Sequence, residues 1–202
     1  MNLRHLLLLT VACLALAGCL PESKNPLSLP SASRYDPQIE GVFRQIGSDE
    51  VAFWHFRYRR ENRGKGREHA ITPWIDVLSV GHSKDGNLDQ SRYDVLATQI
   101  GGGGYLSFIT LAPDGSKKRP ASYSFARYDV NWRGDVRIWL ANEGAFVSAV
   151  KAGKLRGKVT SGQFGTSVEL TDTTANLAAF IAAGDPKALF EGEPMILRRE
   201  AR

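Results

Sequence analysis

The sequence predicts an α+β domain dominated by an antiparallel sheet of about eight or more strands, closed into a barrel or folded as a sandwich. Three observations support this prediction. From Gln38 onward, apolar and polar residues alternate with the period of two that is typical of strands with one buried face. Turn-forming residues separate these runs at short intervals, whereas parallel strands would need long crossovers. Helical spacing is confined to the C-terminal third, where we expect one or two short helices.

The clearest strand runs from Val51 to Arg60. Trp54, Phe56 and Tyr58 alternate there with polar or charged residues, so we expect the three aromatic side chains to point together into the core or a cavity. The arginines between and after them should point outward. Similar runs, in chain order, are Val42–Ile46, Pro73–Val80, Tyr93–Gln99, Tyr105–Leu111, Ser122–Val130, Val136–Leu140, Gly157–Ser161, Ser167–Leu170 and the closing Met195–Arg199.

Glycine-rich connections join several of these runs. Gly101–Gly104 lacks the following Lys-Ser/Thr and the helix start of a phosphate-binding loop, so we interpret it as a hairpin connection with positive φ. Gly81–Gly86 is similar to the nucleophile elbow of α/β-hydrolases. However, the residue two after Ser83 is not small, as the elbow requires, and no histidine follows His82. We interpret this segment as a polar turn.

Two segments in the C-terminal third have helical spacing. Ala145–Ala152 spaces its alanine and valine residues as a helix does. A second helix is expected between a cap at Asp172 or Thr173 and a stop at Gly184. Asp185-Pro186 then offers the cap and first position of a further helical turn.

The N-terminus has the order of a secretory signal peptide. A basic start at Arg4 precedes an apolar stretch that is too short to cross a bilayer as a helix. The stretch ends in Leu16-Ala17-Gly18-Cys19, which resembles the lipobox of bacterial lipoproteins. The resemblance implies cleavage of signal peptidase II type between Gly18 and Cys19 and acylation of the cysteine.

Lipidation also accounts for the cysteine content. Cys13 leaves with the signal, so Cys19 would be the sole thiol of a chain exported to an oxidising compartment. In lipoproteins of Gram-negative bacteria, a residue other than aspartate after the cysteine favours the outer membrane over the inner one, and here that residue is Leu20. Two or three acyl chains anchor a protein stably, so the first expected partner is the lipid bilayer.

We therefore expect three segments along the chain. Residues 1–18 form the signal peptide, residues 19–37 the lipidated cysteine and a proline-rich tether, and residues 38–202 a single globular domain. The prolines of the second segment exclude a helix or a central strand. The tether should therefore be extended, with a reach of at most about 50 Å at about 3.1 Å per residue.

The two ends of the domain resemble those of calycins, the class that includes the lipocalins. Gly41-Val42-Phe43 opens the first strand, and the pair Arg198 and Arg199 lies in the last. In that class a Gly-x-Trp near the start packs beneath an arginine from the end of the barrel. Here Phe43 stands in the place of the tryptophan. The resemblance implies a barrel that holds a small apolar molecule.

The most strongly charged segment is 57–68, with six basic and two acidic residues. Five of these residues form a candidate surface for anionic lipid headgroups or another envelope protein: Arg59, Arg60, Arg63, Lys65 and Arg67. The alternative is a solvated hairpin tip. We expect no nucleic-acid partner, because an exported, lipid-anchored protein rarely meets nucleic acid.

No pattern of titratable residues indicates catalysis or a metal. The histidines of the exported chain do not stand at metal-ligand spacing and no cysteine ligand remains, so we expect no metal and no cofactor. Asp76 shares a strand face with Trp74 and Leu78. If that face is buried, the carboxylate needs a partner, and we expect an arginine.

These observations leave three classes of function. We expect a non-catalytic interaction or assembly accessory of the outer membrane. The alternatives are a calycin-like module that binds a small apolar ligand and a hydrolase whose residues are not recognisable. An exposed patch would favour the first class, an internal apolar cavity the second, and a cleft with convergent titratable groups the third.

Overall fold

The computed structural model describes residues 20–47, 51–61, 70–82, 86–111, 122–163 and 165–200. Within these ranges the chain forms eleven strands and three α-helices. Eight strands belong to one sheet: β2 (Gly41–Ile46), β3 (Ala52–Glu61), β4 (Ala70–His82), β5 (Leu88–Ile100), β6 (Gly103–Thr110), β7 (Ser124–Val130), β8 (Val136–Leu140) and β11 (Met195–Arg199). The remaining elements are β1 (Glu22–Ser23), β9 (Gly157–Gly162), β10 (Gly165–Leu170), α1 (Glu143–Lys151), α2 (Thr174–Ala183) and α3 (Pro186–Leu189).

The eight-stranded sheet is a closed barrel. Strands β2 to β8 follow one another around it as an antiparallel meander, and β11 closes the circle between β8 and β2. The predicted sheet-dominated α+β fold is confirmed, and of the two predicted arrangements the barrel is the one that forms. Closure pairs both edges of the meander, which an open sheet would leave exposed.

Side chains alternate across the barrel wall as predicted for β3. Phe56 and Tyr58 are buried inside the barrel and Trp54 is half-buried, whereas Arg57 is exposed. The hairpin predicted between β5 and β6 also forms, with Gly101 and its neighbour at φ of +57° and +82°. The β4–β5 pairing extends to the last residue of β4 and the first of β5, as expected for a turn at this point.

A second apolar core lies between the outer face of the barrel and the helices. Phe125 of β7 faces outward and packs against Phe146 of α1, with ring centroids 6.2 Å apart.

The helix starts follow local capping chemistry, because the side chains of Asn142, Thr173 and Asp185 each accept a backbone N–H of the following turn. None of the helices in the described ranges has the length and hydropathy of a membrane-spanning helix.

Residues 20–40 form a strap that is docked on the barrel. β1 pairs in parallel with β10, and Ser23 forms a bridge beside the start of β7. Leu27 is 2% exposed, and its backbone N–H donates to Oγ of Ser107 on β6 over 2.9 Å. The structure therefore corrects the expectation of an extended tether. The prolines limit regular structure to β1 and one short 3-10 helix, but Leu27 and Ile39 still bury apolar surface against the barrel.

The strap runs from one end of the barrel to the other. We call the end where β3, β5, β7 and β11 begin the open end, and the opposite end the closed end. Ser23 lies beside the open end. The hydroxyl of Ser28 hydrogen-bonds that of Thr98 near the end of β5, and Asp36 reaches the closed end, where its backbone N–H donates to Oη of Tyr58 over 2.9 Å.

Candidate ligand-binding cavity

The strap fills the closed end of the barrel. Oη of Tyr128 donates to Oδ2 of Asp36 over 2.8 Å, and Ile39, 1% exposed, packs in the interior cluster beside Tyr58. Burial raises the pKa of Tyr58 to about 12. The pKa of Tyr128 is also raised, by burial and by its hydrogen bond to Asp36. Both phenols therefore stay protonated at neutral pH and hold the floor of the barrel together.

An arginine of the last strand completes this floor. The guanidinium of Arg199 lies 4.6 Å from the centroid of the Phe43 ring. It donates to the carbonyl oxygen of Glu40 over 2.8 Å and also to that of Gln38. Gly41 has φ of +150°, and a Cβ at this position would collide with the guanidinium. Phe43 thus lies beneath an arginine of the last strand.

The interior of the barrel is not filled at the open end. A cavity of about 230 Å³ lies there. Its walls are inward-facing apolar and aromatic side chains, to which the strap adds its first described residue. The lining consists of Trp54, Phe56, Val77, Tyr93, Val95, Leu106, Phe108, Ala126, Ile138, Leu140, Met195 and Leu20.

Aromatic rings form one side of this cavity. Trp54 stacks on Tyr93 with ring centroids 6.1 Å apart and planes 14° apart, and Tyr93 meets Phe108 edge-on at 6.0 Å. The indole Nε1–H of Trp54 donates to Oε1 of Gln45 over 3.1 Å, so its one polar group has a partner. Because the indole N–H has a hydrogen-bond partner and the rings are stacked, this wall is held in one arrangement.

The cavity suits the burial of an apolar group. The described lining contains no carboxylate, histidine, lysine or arginine, which acid–base chemistry would need. Ligand pockets for drug-sized molecules usually measure about 300–1,000 Å³, so a volume of about 230 Å³ admits a smaller apolar group. Part of a hydrocarbon chain is one such group.

A second depression, on the outer face of β3, β4 and β5, is charged. Asp76 and Asp94 lie opposite each other on β4 and β5, and Arg59 pairs with both; its Nε is 2.6 Å from Oδ1 of Asp76. Asp76 thus has an arginine partner, although the face it shares with Trp74 and Leu78 is not buried and its own side chain is 55% exposed. The deeply buried carboxylate is nevertheless Asp94, 2% exposed, which sequence analysis did not single out. One guanidinium thus pairs with two carboxylates in the wall of the barrel.

The described members of the predicted basic surface lie near the closed end of β3. Arg59 is held by the two aspartates, and Nη2 of Arg60 is 3.8 Å from Oε1 of Glu40. Arg63, Lys65 and Arg67 lie outside the described residues. The structure thus gives carboxylate partners to two of the five residues, and their binding to anionic headgroups stays a prediction.

The predicted cleavage and lipidation residues, Gly18 and Cys19, also lie outside the described residues. Their neighbour Leu20 is described and lines the cavity, which sequence analysis did not anticipate. Within the described ranges, no group of three or more histidine, cysteine, aspartate or glutamate residues could hold a metal ion.

The fold and the cavity define a class of protein, a closed antiparallel barrel with an apolar interior that is accessible from one end. Comparison with known protein families, curated proteins and solved structures finds no match.

Proposed function

We propose that this protein is a lipid-anchored component of the outer membrane of a Gram-negative bacterium whose barrel binds an acyl chain or a similarly slender apolar group. The role is binding and not catalysis. The observation that carries the proposal is the cavity at the open end, lined throughout by apolar and aromatic side chains. The lipobox-like Leu16-Ala17-Gly18-Cys19 supports the lipid anchor.

The size of the cavity sets the expected affinity. If a methylene takes about the 30 Å³ of a water molecule, the cavity accommodates about seven of them. At about 0.8 kcal/mol for each buried methylene, their transfer from water supplies roughly 5 to 6 kcal/mol. This corresponds to a dissociation constant on the order of 0.1 mM before ordering costs. Such a site would exchange its ligand readily with a membrane.

The test uses the protein produced from Leu20 onward and a fluorescent fatty acid whose emission rises in apolar surroundings. Ala126 is 1% exposed and lines the cavity, so Ala126→Phe should fill it and weaken probe binding at least tenfold. The matched control is Ala179→Phe, since Ala179 is exposed on α2, away from the barrel interior. Equal binding by wild type and Ala126→Phe, or no binding by the wild type, would contradict the proposal.

One observation favours a second function, as an interaction or assembly accessory. Trp132, in the connection between β7 and β8 at the closed end, is 87% exposed, and the guanidinium of Arg133 lies 4.6 Å from its ring. Exposed tryptophan and arginine side chains are typical anchors of protein interfaces. A photo-crosslinking residue at position 132 in cells should then give a discrete adduct that the same residue at exposed Thr160 on β9 does not give.

A further inference from the structure

The strap fixes the position of the N-terminal anchor relative to the barrel. Leu20 lines the cavity, and Cys19 is one peptide unit away, about 3.8 Å between Cα atoms. Two residues further on, β1 pairs with β10, and Ser23 exchanges two backbone hydrogen bonds of 2.7 and 2.8 Å with Tyr123. No free spacer therefore separates the acylation site from the open end of the barrel.

We propose that the strap holds the open end of the barrel against the bilayer in which Cys19 is anchored. The cavity then opens into the lipid leaflet, and acyl chains of membrane lipids enter it without crossing water. The orientation rests on the docked strap and the anchor. The exchange of acyl chains rests in addition on the proposed function.

Described strand ends on the rim of the open end carry apolar side chains that this contact would bury. Three large apolar side chains at strand ends are largely exposed there: Leu88 by 67%, Val51 by 56% and Leu140 by 48%. They belong to three different strand ends around the barrel, at the start of β5, just before β3 and at the end of β8. Transfer of apolar side chains on one rim into a membrane interface is favourable and strengthens binding beside a lipid anchor.

The opposite end faces away from the membrane in this arrangement. Arg60 lies eight residues along β3 from Ala52, a distance of about 26 Å at about 3.3 Å per residue. Trp132 lies at the same closed end, in the turn after β7. The described part of the basic surface would then lie away from the headgroups of the anchoring leaflet. An extended tether would have allowed that contact.

The cysteine content of the chain makes the orientation measurable. The mature protein would hold only the acylated Cys19, so an introduced cysteine is the sole free thiol. Leu88→Cys marks the open end, and Trp132→Cys marks the closed end. Each full-length, lipidated variant is labelled with a small fluorophore and reconstituted into vesicles that contain a spin-labelled phospholipid quencher. We expect quenching of the label at position 88 to be at least threefold stronger than at position 132.

A linker variant tests whether the strap causes the orientation. Twenty glycine and serine residues are inserted between Leu20 and Pro21, which leaves the lipobox unchanged. Such a linker has a root-mean-square end-to-end distance of about 25 Å. The variant should remain in the membrane fraction but lose most of the difference in quenching between positions 88 and 132. Unchanged quenching contrast in this variant would overturn the role of the strap.

The two proposals fail in different measurements. Equal quenching at both positions, or stronger quenching at position 132, would overturn the orientation whatever the cavity binds. If the quenching contrast is observed but the wild-type protein binds no fatty-acid probe, the orientation stands. Acyl exchange and the proposed function are then both overturned.

Discussion

Leu27 is the residue through which the docking of the strap is tested most directly. Its side chain is 2% exposed and belongs to the apolar cluster between the barrel and the helices. Leu27→Ala removes three carbon atoms from this cluster without changing the backbone hydrogen bond to Ser107. The matched control is Leu29→Ala two residues away, because the side chain of Leu29 is 57% exposed.

The expected loss follows from burial. Three carbon atoms at about 0.8 kcal/mol each give roughly 2.4 kcal/mol of lost transfer free energy. The remaining void adds a further penalty, which brings the total to about 3 kcal/mol, within the range measured for buried leucines. For a domain of this size each kcal/mol lowers the melting temperature by about 2–4 °C. Leu27→Ala should therefore melt about 6–12 °C below the wild type.

Thermal unfolding of the protein produced from Leu20 onward, followed by circular dichroism, measures this difference. Leu29→Ala should melt within about 2 °C of the wild type, since exposed sites usually change stability by less than 0.5 kcal/mol. If Leu27→Ala melts like its control, the strap does not dock on the barrel in solution. In that case the extended tether would return as the better description, and the orientation proposed above would lose its basis.

Three further predictions concern the anchor, the barrel wall and pH. Cys19→Ala should abolish incorporation of labelled palmitate and release the protein from the membrane fraction; unchanged labelling would refute acylation at this residue. Phe56→Ala should lower stability by about 3–5 kcal/mol in a melt, whereas exposed Arg57→Ala should have little effect. The backbone N–H of Arg156, with further donors, lowers the pKa of Asp172 from 3.8 to about 2. The stability that Asp172 contributes is thus present above pH 4 and lost between about pH 4 and 2. Asp172→Asn should therefore lower the free energy of unfolding by about 2 kcal/mol at pH 7. Urea unfolding of this variant should depend less on pH between about pH 4 and 2 than that of the wild type.

The strands and helix starts could be predicted because their signals are local. Alternation along Val51–Arg60 reports directly which side chains are buried, and β3 forms over Ala52–Glu61 with the predicted face inside. Thr173 and Asp185 cap their helices through hydrogen bonds that span two or three residues. The closing strand could be placed for the same reason. Each of these features depends on neighbours in sequence.

The strap could not be predicted because its contacts are distant in sequence. Leu27 and Ser28 lie in a segment of only three residues between Pro26 and Pro30, which is too short for a periodic pattern to mark them as buried. Their partners, Ser107 and Thr98, lie 80 and 70 residues further along the chain. The parallel pairing of the two-residue β1 with β10 likewise joins residues that are distant in sequence. Composition alone favoured an extended chain, and tertiary contacts overrode it.

The position of the cavity follows from the distribution of side-chain size along the barrel. At the closed end, Phe43, Tyr58 and Tyr128 fill the interior, and Ile39 packs there from the strap. At the open end, the aromatic rings stack along one wall, and the small side chain of Ala126 lies among the other residues of the lining. The centre therefore stays empty, although each strand alternates regularly.

Side chains that line an unfilled cavity lack packing partners on one side, which lowers the stability of the fold. A larger side chain at position 126 would recover part of this stability, so the same volume can either stabilise the chain or bind a ligand. Ala126→Phe should accordingly raise the melting temperature while it weakens probe binding. Opposite changes in stability and affinity are the result that distinguishes a binding cavity from a packing defect.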